Sequence, residues 1–369
     1  MALELRLVNS IEAVAPHEWD ACAGGHPFVQ HAFLKALETS GALGRQRGVV
    51  PYHALLRDSV HGLVACAPAM LKWSTLREHG PEIHWLRAGL EAGCFAWPKF
   101  QVGVPLFPVL GPKLLVRAGM PQAPLRAALL SGMHQLGQRE HRESVFNLMH
   151  IDHATAGFCK ARGALVSAEQ HSMWTNPGLA DLASYLATLD ERKRYNFRKE
   201  RRRAESHGLA FKVLRGRDLT ETILADYYAG HSRVCERYRV RPWLPAKTYA
   251  ALAAVLPEST MLMGYFDGLR FVAGSMKLHS QAEQTVYSLQ WSEMTKLDGV
   301  ALDLICQRPI DYALAHSVHK LDSGLAAPHK AQRGWQTTPV YNAHWFYNDP
   351  LKALALQQKK PRTTANPAI

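Results

Sequence analysis

The chain has 369 residues, of which 47% are hydrophobic and 20% charged, and its formal net charge is +12. This length predicts two domains, and the composition excludes a disordered or fibrous protein. The excess of positive charge indicates a phosphate-rich partner such as nucleic acid, a nucleotide cofactor or anionic lipid; the alternative is a basic surface that only aids solubility.

The six cysteines stand singly along the chain, without the close Cys or His spacing of a zinc site or a disulfide framework. The N-terminus lacks the basic start and long apolar run of a signal peptide, and no stretch approaches the roughly 18–20 apolar residues of a membrane span. We therefore expect a cytoplasmic protein with reduced thiols and no membrane insertion. The sequence leaves the oligomeric state open.

The first half predicts an α/β domain, because strand-like alternation and helical spacing succeed one another. After a strand at Met1–Ser10, the predicted elements are a helix at Pro27–Ser40, a hairpin of Tyr52–Arg57 and Gly62–Lys72, Pro-rich edge strands or loops over Phe95–Leu115, a helix at Gln122–Arg139 and a strand at Ser144–Ile151.

The second half repeats this order, which predicts a duplicated α/β unit. Its predicted elements are helices at Leu219–Tyr238 and Ala246–Leu256, a hairpin of Met261–Phe266 and Arg270–His279, a strand at Thr285–Trp291, a helix at Asp298–His316 kinked at Pro309, and a strand at Val318–Leu321. We accordingly predict domains at residues 1–165 and 166–350, followed by a flexible tail at 351–369.

A basic run at Asp190–Arg203 is the sharpest local feature, with eight cations in the twelve residues from Arg192 to Arg203. Apolar residues upstream lie at helical spacing, which predicts one amphipathic helix over residues 182–207. Arginine matches phosphate oxygens bidentately, and interleaved aromatic rings can stack on a base. The predicted donor-binding residues here are Arg194, Arg198, Lys199, Arg201 and Arg202; a solvated helix face or a linker is the alternative.

A polar segment at Lys320–Trp335 follows the last predicted strand, where α/β sheets commonly bind ligands. Acyl transfer to an amine needs a base and a donor group for the oxyanion. Asp322 or His329 could be the base, and Lys330 and Arg333 could hold a phosphate or polarise the carbonyl. The alternative is an ion-paired loop.

Aromatic and amide residues near strand ends are candidates for substrate binding, although such residues commonly cap a core. They are Trp174, Asn176, Tyr287, Gln290 and Trp291. A cluster of His150, Asp152 and His153 has a spacing conceivable for a metal, but 19 histidines make chance clusters common, so we predict no metal.

Several segments together resemble the Fem-like predicted N-acyltransferases, the peptidoglycan biosynthesis/recognition proteins. The resemblance covers about residues 26–350 and is carried by HPFVQHAFLKALETSG, VPLFPVLGPKLLV, RKRYNFRKERRR, YSLQWSE, HKAQRGW and NAHWFYND. It implies tandem GNAT-like α/β lobes, each a mixed sheet flanked by helices. It also implies transfer of an acyl or aminoacyl group to a small-molecule or peptide amine, in cell-wall or specialised-metabolite biosynthesis.

The same resemblance implies acyl-CoA or aminoacyl-tRNA as co-substrate, with tRNA a partner in the second case and no permanently bound cofactor. The sequence departs from the family pattern at Leu302-Asp303-Leu304 and between Asp322 and Lys330, where two family carboxylates are missing or displaced. Three explanations stay open: chemistry moved to Asp322, Asp303 and His329, a specialised acceptor, or lost catalysis.

Two other function classes also remain open. A non-catalytic RNA-binding or scaffold protein would keep the fold and show salt-dependent RNA binding without acyl transfer. A peripheral membrane protein would use the basic helix on anionic lipid.

Overall fold

A computed structural model describes residues 3–78, 80–94, 97–140 and 144–357. Within these residues the chain forms two compact units, one from residues 3–169 and 339–357 and the other from residues 170–338. The prediction placed the chain up to residue 350 in the second domain. The chain returns to the first unit from Pro339 because its last strand pairs with a strand of that unit.

The first half of the chain alternates strands and helices as predicted. In chain order the elements are β1 Leu3–Val8, α1 Pro16–Ala23, α2 His31–Thr39, β2 Val49–Pro51, β3 His53–Asp58, β4 Gly62–Ala67, β5 Ala69–Lys72, α3 Gly80–Glu91, β6 Lys99–Val102, β7 Leu115–Val116, α4 Gln122–Glu140, β8 Val145–Ile151 and α5 His153–Lys160.

The second half contains more strands than the sequence predicted. In chain order its elements are β9 Leu165–Thr175, α6 Leu182–Thr188, α7 Glu191–Glu205, β10 Ala210–Arg215, α8 Glu221–Arg237, α9 Ala246–Val255, β11 Thr260–Asp267, β12 Arg270–Ser280, β13 Thr285–Glu293, α10 Val300–Leu302, a π-helical stretch Asp303–Gln307, α11 Arg308–Ala315, β14 Lys320–Leu325, α12 Pro328–Ala331, β15 Gln336–Phe346 and α13 Asp349–Gln357. No helix among the described residues is long and apolar enough to cross a bilayer.

Two sheets build the first unit. One has the antiparallel order β1-β3-β4-β7, and the other runs β15-β8-β6-β5-β2, with a parallel pair only at β6 and β8. Helix α4 packs its apolar side chains on the first of these sheets, and Leu129 and Met133 are fully buried there. Mixed sheets flanked by helices confirm the predicted α/β class.

A buried cluster of charges lies in the first unit. Lys99 Nζ, fully buried, donates to Glu78 at 2.8 Å and to Glu82 at 2.6 Å, and Lys72 also pairs with Glu78. Burial and the Glu78 carboxylate raise the pKa of Glu82 to about 8. Buried charges are tolerated only when paired and hydrogen-bonded, so these four side chains form one interdependent network.

The predicted flexible tail is wrong for residues 351–357. They lie in α13, whose Leu351 and Ala355 are buried against Trp85 and Leu86 of α3. The reason is apolar burial, since Leu351 is fully enclosed and stabilises the helix that carries it. Residues 358–369 lie outside the described part of the chain.

The second unit contains one mixed sheet in the order β10-β11-β12-β13-β14-β9, with β9 contributing residues 171–175. All neighbours are antiparallel except β13 and β14. Helix α8 crosses β12 and β13 closely at Gly230, where an added Cβ would lie 2.4 Å from Ser292 Oγ. A glycine is therefore required at this crossing.

Two predicted helices are interrupted. The helix over residues 182–207 breaks at Asp190, whose carboxylate accepts a hydrogen bond from Lys193 N–H at 2.8 Å and so starts α7 as a separate helix. The predicted helix Asp298–His316 passes through the π-helical stretch before Pro309. Proline supplies no N–H for the ordinary helical bond, which accounts for the change of pattern at this point.

Candidate active site

Strands β13 and β14 of the second unit part after a short parallel pairing. The two strands pair only from Thr285 with Lys320 to Tyr287 with Asp322. The register of β12 with β13 shifts just beyond this point, because Lys277 is opposite Ser288 whereas Met276 is opposite Gln290. Beyond Tyr287, no described strand covers the β14-facing edge of β13. Polar residues of both strands lie near this parting.

Asp322 lies at the parting and is 3% exposed. Its Oδ1 accepts a hydrogen bond from Gly324 N–H at 2.8 Å, whereas Oδ2 is buried without a hydrogen-bond partner among the described residues. An unsatisfied buried carboxylate oxygen is costly in a folded protein. Such an atom is a suitable acceptor for a substrate N–H or a proton.

His329 and Lys330 lie on α12, just after β14. Burial and the cations of Lys330 and Arg333 lower the pKa of His329, so its imidazole is neutral near pH 7 and able to accept a proton. The Lys330 amine is buried and donates to the Ser323 carbonyl at 2.9 Å; burial lowers its pKa. The catalytic role of His329 and the donor-binding role of Lys330 stay predictions.

Lys277 is a buried lysine near Lys330 that the sequence analysis did not single out. It lies inside β12, fully buried, and its Nζ donates to Ser275 Oγ at 3.1 Å and to Ser288 Oγ at 3.0 Å. Burial, together with the nearby Lys330, lowers the pKa of Lys277 to about 7. The available signal was a lysine between the apolar residues Met276 and Leu278 in a predicted strand.

Helix α7 turns one edge toward the π-helical stretch. Arg201 Nε donates to Asp303 at 2.6 Å, its Nη2 pairs with Asp311 at 2.7 Å, and Arg308 Nε donates to Asp303 at 3.0 Å. Tyr265 OH also donates to Asp303, whose side chain is 0% exposed. Arg201 is thus engaged with two carboxylates, and Asp303 has the contacts of a structural ion pair.

Glu200 ties α7 to the segment after β14. It accepts hydrogen bonds from Arg333 Nε at 2.7 Å, from Arg333 Nη2, and from the Gln307 amide at 2.9 Å. Arg333 also donates to the His329 carbonyl. The guanidinium predicted to grip the donor is therefore occupied by a carboxylate, and it holds α12 in position.

Four other cations of α7 lack, among the described residues, the carboxylate partners that hold Arg201. Arg198 and Arg202 are exposed, Arg194 and Lys199 are partly exposed, and none of the four takes part in a salt bridge within the described chain. Tyr195 is 55% exposed, and Lys199 Nζ lies 5.6 Å from its ring centroid. Arg198, Lys199 and Arg202 define the outer face of α7, whereas Arg194 precedes Arg201 by seven residues and lies on nearly the same side of the helix as Arg201. Donor binding by these four cations stays a prediction.

Trp174 and Asn176 have structural contacts. Trp174 is 2% exposed and packs edge-on against Tyr185, with ring centroids 5.6 Å apart. The Asn176 side chain accepts hydrogen bonds from the N–H groups of Gly178 and Leu179 and donates to the Leu179 carbonyl, which closes a turn. These contacts match the alternative of core packing and loop closure.

Tyr287, Gln290 and Trp291 are all on β13 but do not converge. Tyr287 OH donates to Glu283 at 2.8 Å, and the Gln290 side chain accepts from Tyr249 OH of α9. Trp291 is partly exposed, and its carbonyl bonds the His231 ring at 2.8 Å. Substrate contact by this trio stays a prediction.

The histidine cluster of the first unit is divided by its local structure. Asp152 caps α5, because its carboxylate accepts from Thr155 N–H at 2.7 Å, while His150 Nε2 lies 3.0 Å from Glu169. Asp152 and His150 therefore make separate local contacts.

Comparison with known sequences decides the family. The sequence model of the FemAB-like family, described as peptidoglycan biosynthesis/recognition, matches residues 10–363. The chain belongs to the FemAB-like family. The resemblance predicted from its motifs is confirmed, and family and fold together support a transferase of acyl groups. No curated protein sequence matches this FemAB-like protein.

Solved structures share the fold at low identity. The L-PGS of Bacillus licheniformis is 12% identical with a TM-score of 0.53, covering 88% of this chain and 94% of that one. The C-terminal domain of a protein assigned as lysylphosphatidylglycerol synthetase from Agrobacterium fabrum is 11% identical with a TM-score of 0.51, covering 79% and 84%. A tandem GNAT protein of the clavulanic acid pathway is 12% identical with a TM-score of 0.49, covering 94% and 98%. The likeness to the first two structures, whose TM-scores exceed 0.5, confirms the predicted α/β fold of this FemAB-like protein.

Proposed function

We propose that this protein is an N-acyltransferase that moves an acyl or aminoacyl group from a polyanionic donor to an amine. The reaction would take place in the second unit, where β13 and β14 part. One observation carries the proposal: the strands separate at Asp322, whose Oδ2 is buried and unsatisfied, and the titratable His329 and Lys330 follow directly. These observations support a proton acceptor and an amine donor beside the parting of β13 and β14.

The chemistry follows from these three groups. Asp322 or the neutral His329 takes a proton from the acceptor ammonium, which frees its lone pair for attack on the acyl carbonyl. The buried Lys330 amine supplies a donor for the oxyanion that develops on the carbonyl oxygen. Arg333 keeps α12 in place through Glu200 and is a positioning residue in this scheme.

The outer face of α7 would bind the donor phosphates. Its cations are free of carboxylate partners in the described structure, unlike Arg201, and arginine forms bidentate bonds with phosphate. Both acyl-CoA and aminoacyl-tRNA are polyanions, and the exposed Tyr195 offers a ring on which an adenine base can stack. The family description favours an acceptor in peptidoglycan-type cell-wall chemistry, with a specialised metabolite as the other acceptor class.

Native mass spectrometry with acyl-CoA, aminoacylated tRNA and uncharged tRNA tests the donor. We expect one donor class to bind, with affinity falling about tenfold or more when Arg198 and Arg202 become alanine, because each phosphate contact contributes to salt-dependent binding. The matched control replaces the exposed Arg241 and Lys247 elsewhere in the second unit. An equal loss of donor affinity in both double variants would show that binding depends only on the net charge of the protein.

Turnover tests the chemistry separately from binding. The combined variant Asp322→Ala and His329→Ala is expected to bind the donor normally and to lose acyl transfer by about 10²-fold or more, the usual contribution of general base catalysis. Unchanged turnover would refute both assigned roles.

RNA binding without catalysis is the second candidate function. The exposed cations and Tyr195 on the outer face of α7 favour it, since basic grooves with aromatic platforms bind single strands. In that case charged and uncharged tRNA would bind equally, and no donor would acylate an amine.

A further inference from the structure

A cluster of four polar side chains lies at one end of the sheet in the second unit. Its members are Arg215 at the end of β10, His279 near the end of β12, Tyr312 of α11, and His316, which follows α11. His279 is opposite Val286 of β13, where β13 and β14 are still paired. In the described structure none of the four contacts Asp322, His329 or Lys330, so this Arg215 cluster is separate from the proposed reaction site.

Arg215 fixes the tautomer of His279. Its Nη2 lies 3.0 Å from His279 Nδ1, and a guanidinium can only donate, so Nδ1 accepts and the ring proton is on Nε2. Burial, and then the charges of Arg215 and His316, lower the pKa of His279 to about 4, which keeps the ring neutral near pH 7. His279 therefore has an Nε2–H donor without a hydrogen-bond partner among the described residues.

Tyr312 and His316 add two more polar atoms to the cluster. The Tyr312 hydroxyl oxygen accepts a hydrogen bond from Arg215 Nη2, which leaves its hydrogen for another acceptor. The His316 ring stacks on the Tyr312 ring, with centroids 4.1 Å apart and an interplanar angle of 15°. His316 Nδ1 donates to the Tyr312 carbonyl at 2.9 Å, so its Nε2 accepts a hydrogen when the ring is neutral and donates one when the ring is protonated.

No carboxylate balances these groups within the described residues. Arg215 makes its other contacts with the Glu258 carbonyl at 2.9 Å and the Met261 sulfur at 3.4 Å, both of which are uncharged. The charged groups that act on His279 are both basic. Arg215 and His279 are partly exposed and His316 is exposed, so an anion from solution can reach them. A partly buried cation beside unused donors favours an anionic ligand, because hydrogen bonds to a charged group are the strong ones.

We propose that the Arg215 cluster binds a phosphate group, carried as inorganic phosphate or as the terminal phosphate of a small monoester. His279 Nε2–H and the Tyr312 hydroxyl donate to its oxygens, and Arg215 supplies the opposite charge. His316 Nε2 accepts the hydroxyl hydrogen of hydrogenphosphate or, once protonated, donates to an ester phosphate. An ionised carboxylate fits less well, because it has two oxygens and no hydrogen to donate. This inference does not depend on the proposed acyl transfer.

Titration of the full chain with inorganic phosphate, glycerol 3-phosphate and acetate at constant ionic strength tests the site. NMR of the histidine ring nitrogens should show shifts of the His279 and His316 signals with a phosphate ligand and none with acetate. Binding of only one phosphate ligand would identify the source, the free ion or the monoester. An equal response to acetate, or no response to either phosphate ligand, overturns the proposal.

Calorimetry on two variants tests the assigned donors. Tyr312→Phe keeps the stacked ring, and His279→Phe keeps the ring volume; each should weaken phosphate binding by about tenfold or more, the value of a hydrogen bond to a charged group. The matched controls are Tyr238→Phe and His207→Phe, which replace exposed residues of the same unit and should bind phosphate like the wild type.

Wild-type affinity in both Tyr312→Phe and His279→Phe refutes the site. If His279→Phe fails to fold by circular dichroism, Tyr312→Phe decides alone, because it removes one oxygen and leaves the packing in place. A single-stranded RNA that shifts the two histidine signals when neither small phosphate does so would show a phosphodiester ligand and contradict the terminal-phosphate assignment. The acyl transfer proposed above is unaffected by any of these results.

Discussion

Replacing Asp303 by asparagine removes the charge that joins α7, α11 and the sheet of the second unit. Its carboxylate is 0% exposed and receives Arg201 at 2.6 Å, Arg308 at 3.0 Å and the Tyr265 hydroxyl. Breaking a buried ion pair by neutralising one partner costs about 3–5 kcal/mol, because the other charges stay buried without compensation. For a unit of this size the same loss lowers the Tm by about 6–20 °C.

The matched control is Asp298→Asn. Asp298 pairs with Arg203 of α7 at 3.0 Å, but its side chain is 71% exposed, so we expect a loss of about 0–1 kcal/mol. Urea unfolding followed by circular dichroism measures both variants. A loss below about 1 kcal/mol for Asp303→Asn, or equal losses in the two variants, would refute the structural role assigned to Asp303.

Three further predictions concern buried side chains. The pKa of Lys277 is about 7 against an ordinary 10.5, so between these pH values the unfolded state holds one more proton than the folded state, and the free energy of unfolding rises with pH. Urea unfolding at several pH values should show this rise in the wild type and a flatter profile in Lys277→Met. A flat wild-type profile would contradict the prediction. Lys99→Met should lower the free energy of unfolding by about 3–5 kcal/mol, because it leaves buried carboxylates without their cation. Glu82→Gln should lower it far less near pH 7 in the same assay, since the pKa of Glu82 is raised to about 8. A larger loss for Glu82→Gln than for Lys99→Met would be inconsistent with the network. Trp174→Ala should cost about 3–5 kcal/mol through lost packing and leave donor affinity unchanged by titration calorimetry, and a selective loss of affinity would instead support its predicted substrate contact.

Periodicity was sufficient for the repeated hairpins and the long helices, because each buries one apolar face. The predicted Arg270–His279 strand matches β12 at Arg270–Ser280, and the predicted helix Ala246–Leu256 matches α9 at Ala246–Val255. Strand β15 escaped prediction because Pro339 and several polar residues obscure its alternation. Its pairing partner β8 lies almost two hundred residues earlier in the chain, and no local pattern records such a pairing.

The phase of the basic helix was the main error at the site. A run of charged residues does not by itself show which edge faces inward, and Arg201 was therefore grouped with the cations expected to bind phosphate. Phe197 and Ala204, both buried, lie on the same edge as Arg201 at helical spacing and mark the inner side. Weighting these two apolar residues would have predicted that Arg201 turns toward the protein.

The grouping of Asp322, His329 and Lys330 could be predicted because they follow one strand in sequence. Lys277 and Ser288 could not be paired in this way, since their contact depends on the register between β12 and β13 and on the bulge that shifts it. Side chains that meet across strands require the register, which the sequence does not state directly.

The two inward-facing charged residues of α7 constrain how its sequence can vary. Glu200 and Arg201 fix the rotation of the helix about its own axis, through partners on α11, the π-helical stretch and the segment after β14. Cations on the outer face can then be added, lost or exchanged without disturbing that anchor. Relatives that handle different polyanions could therefore diverge quickly along one side of this helix while the other side stays constant.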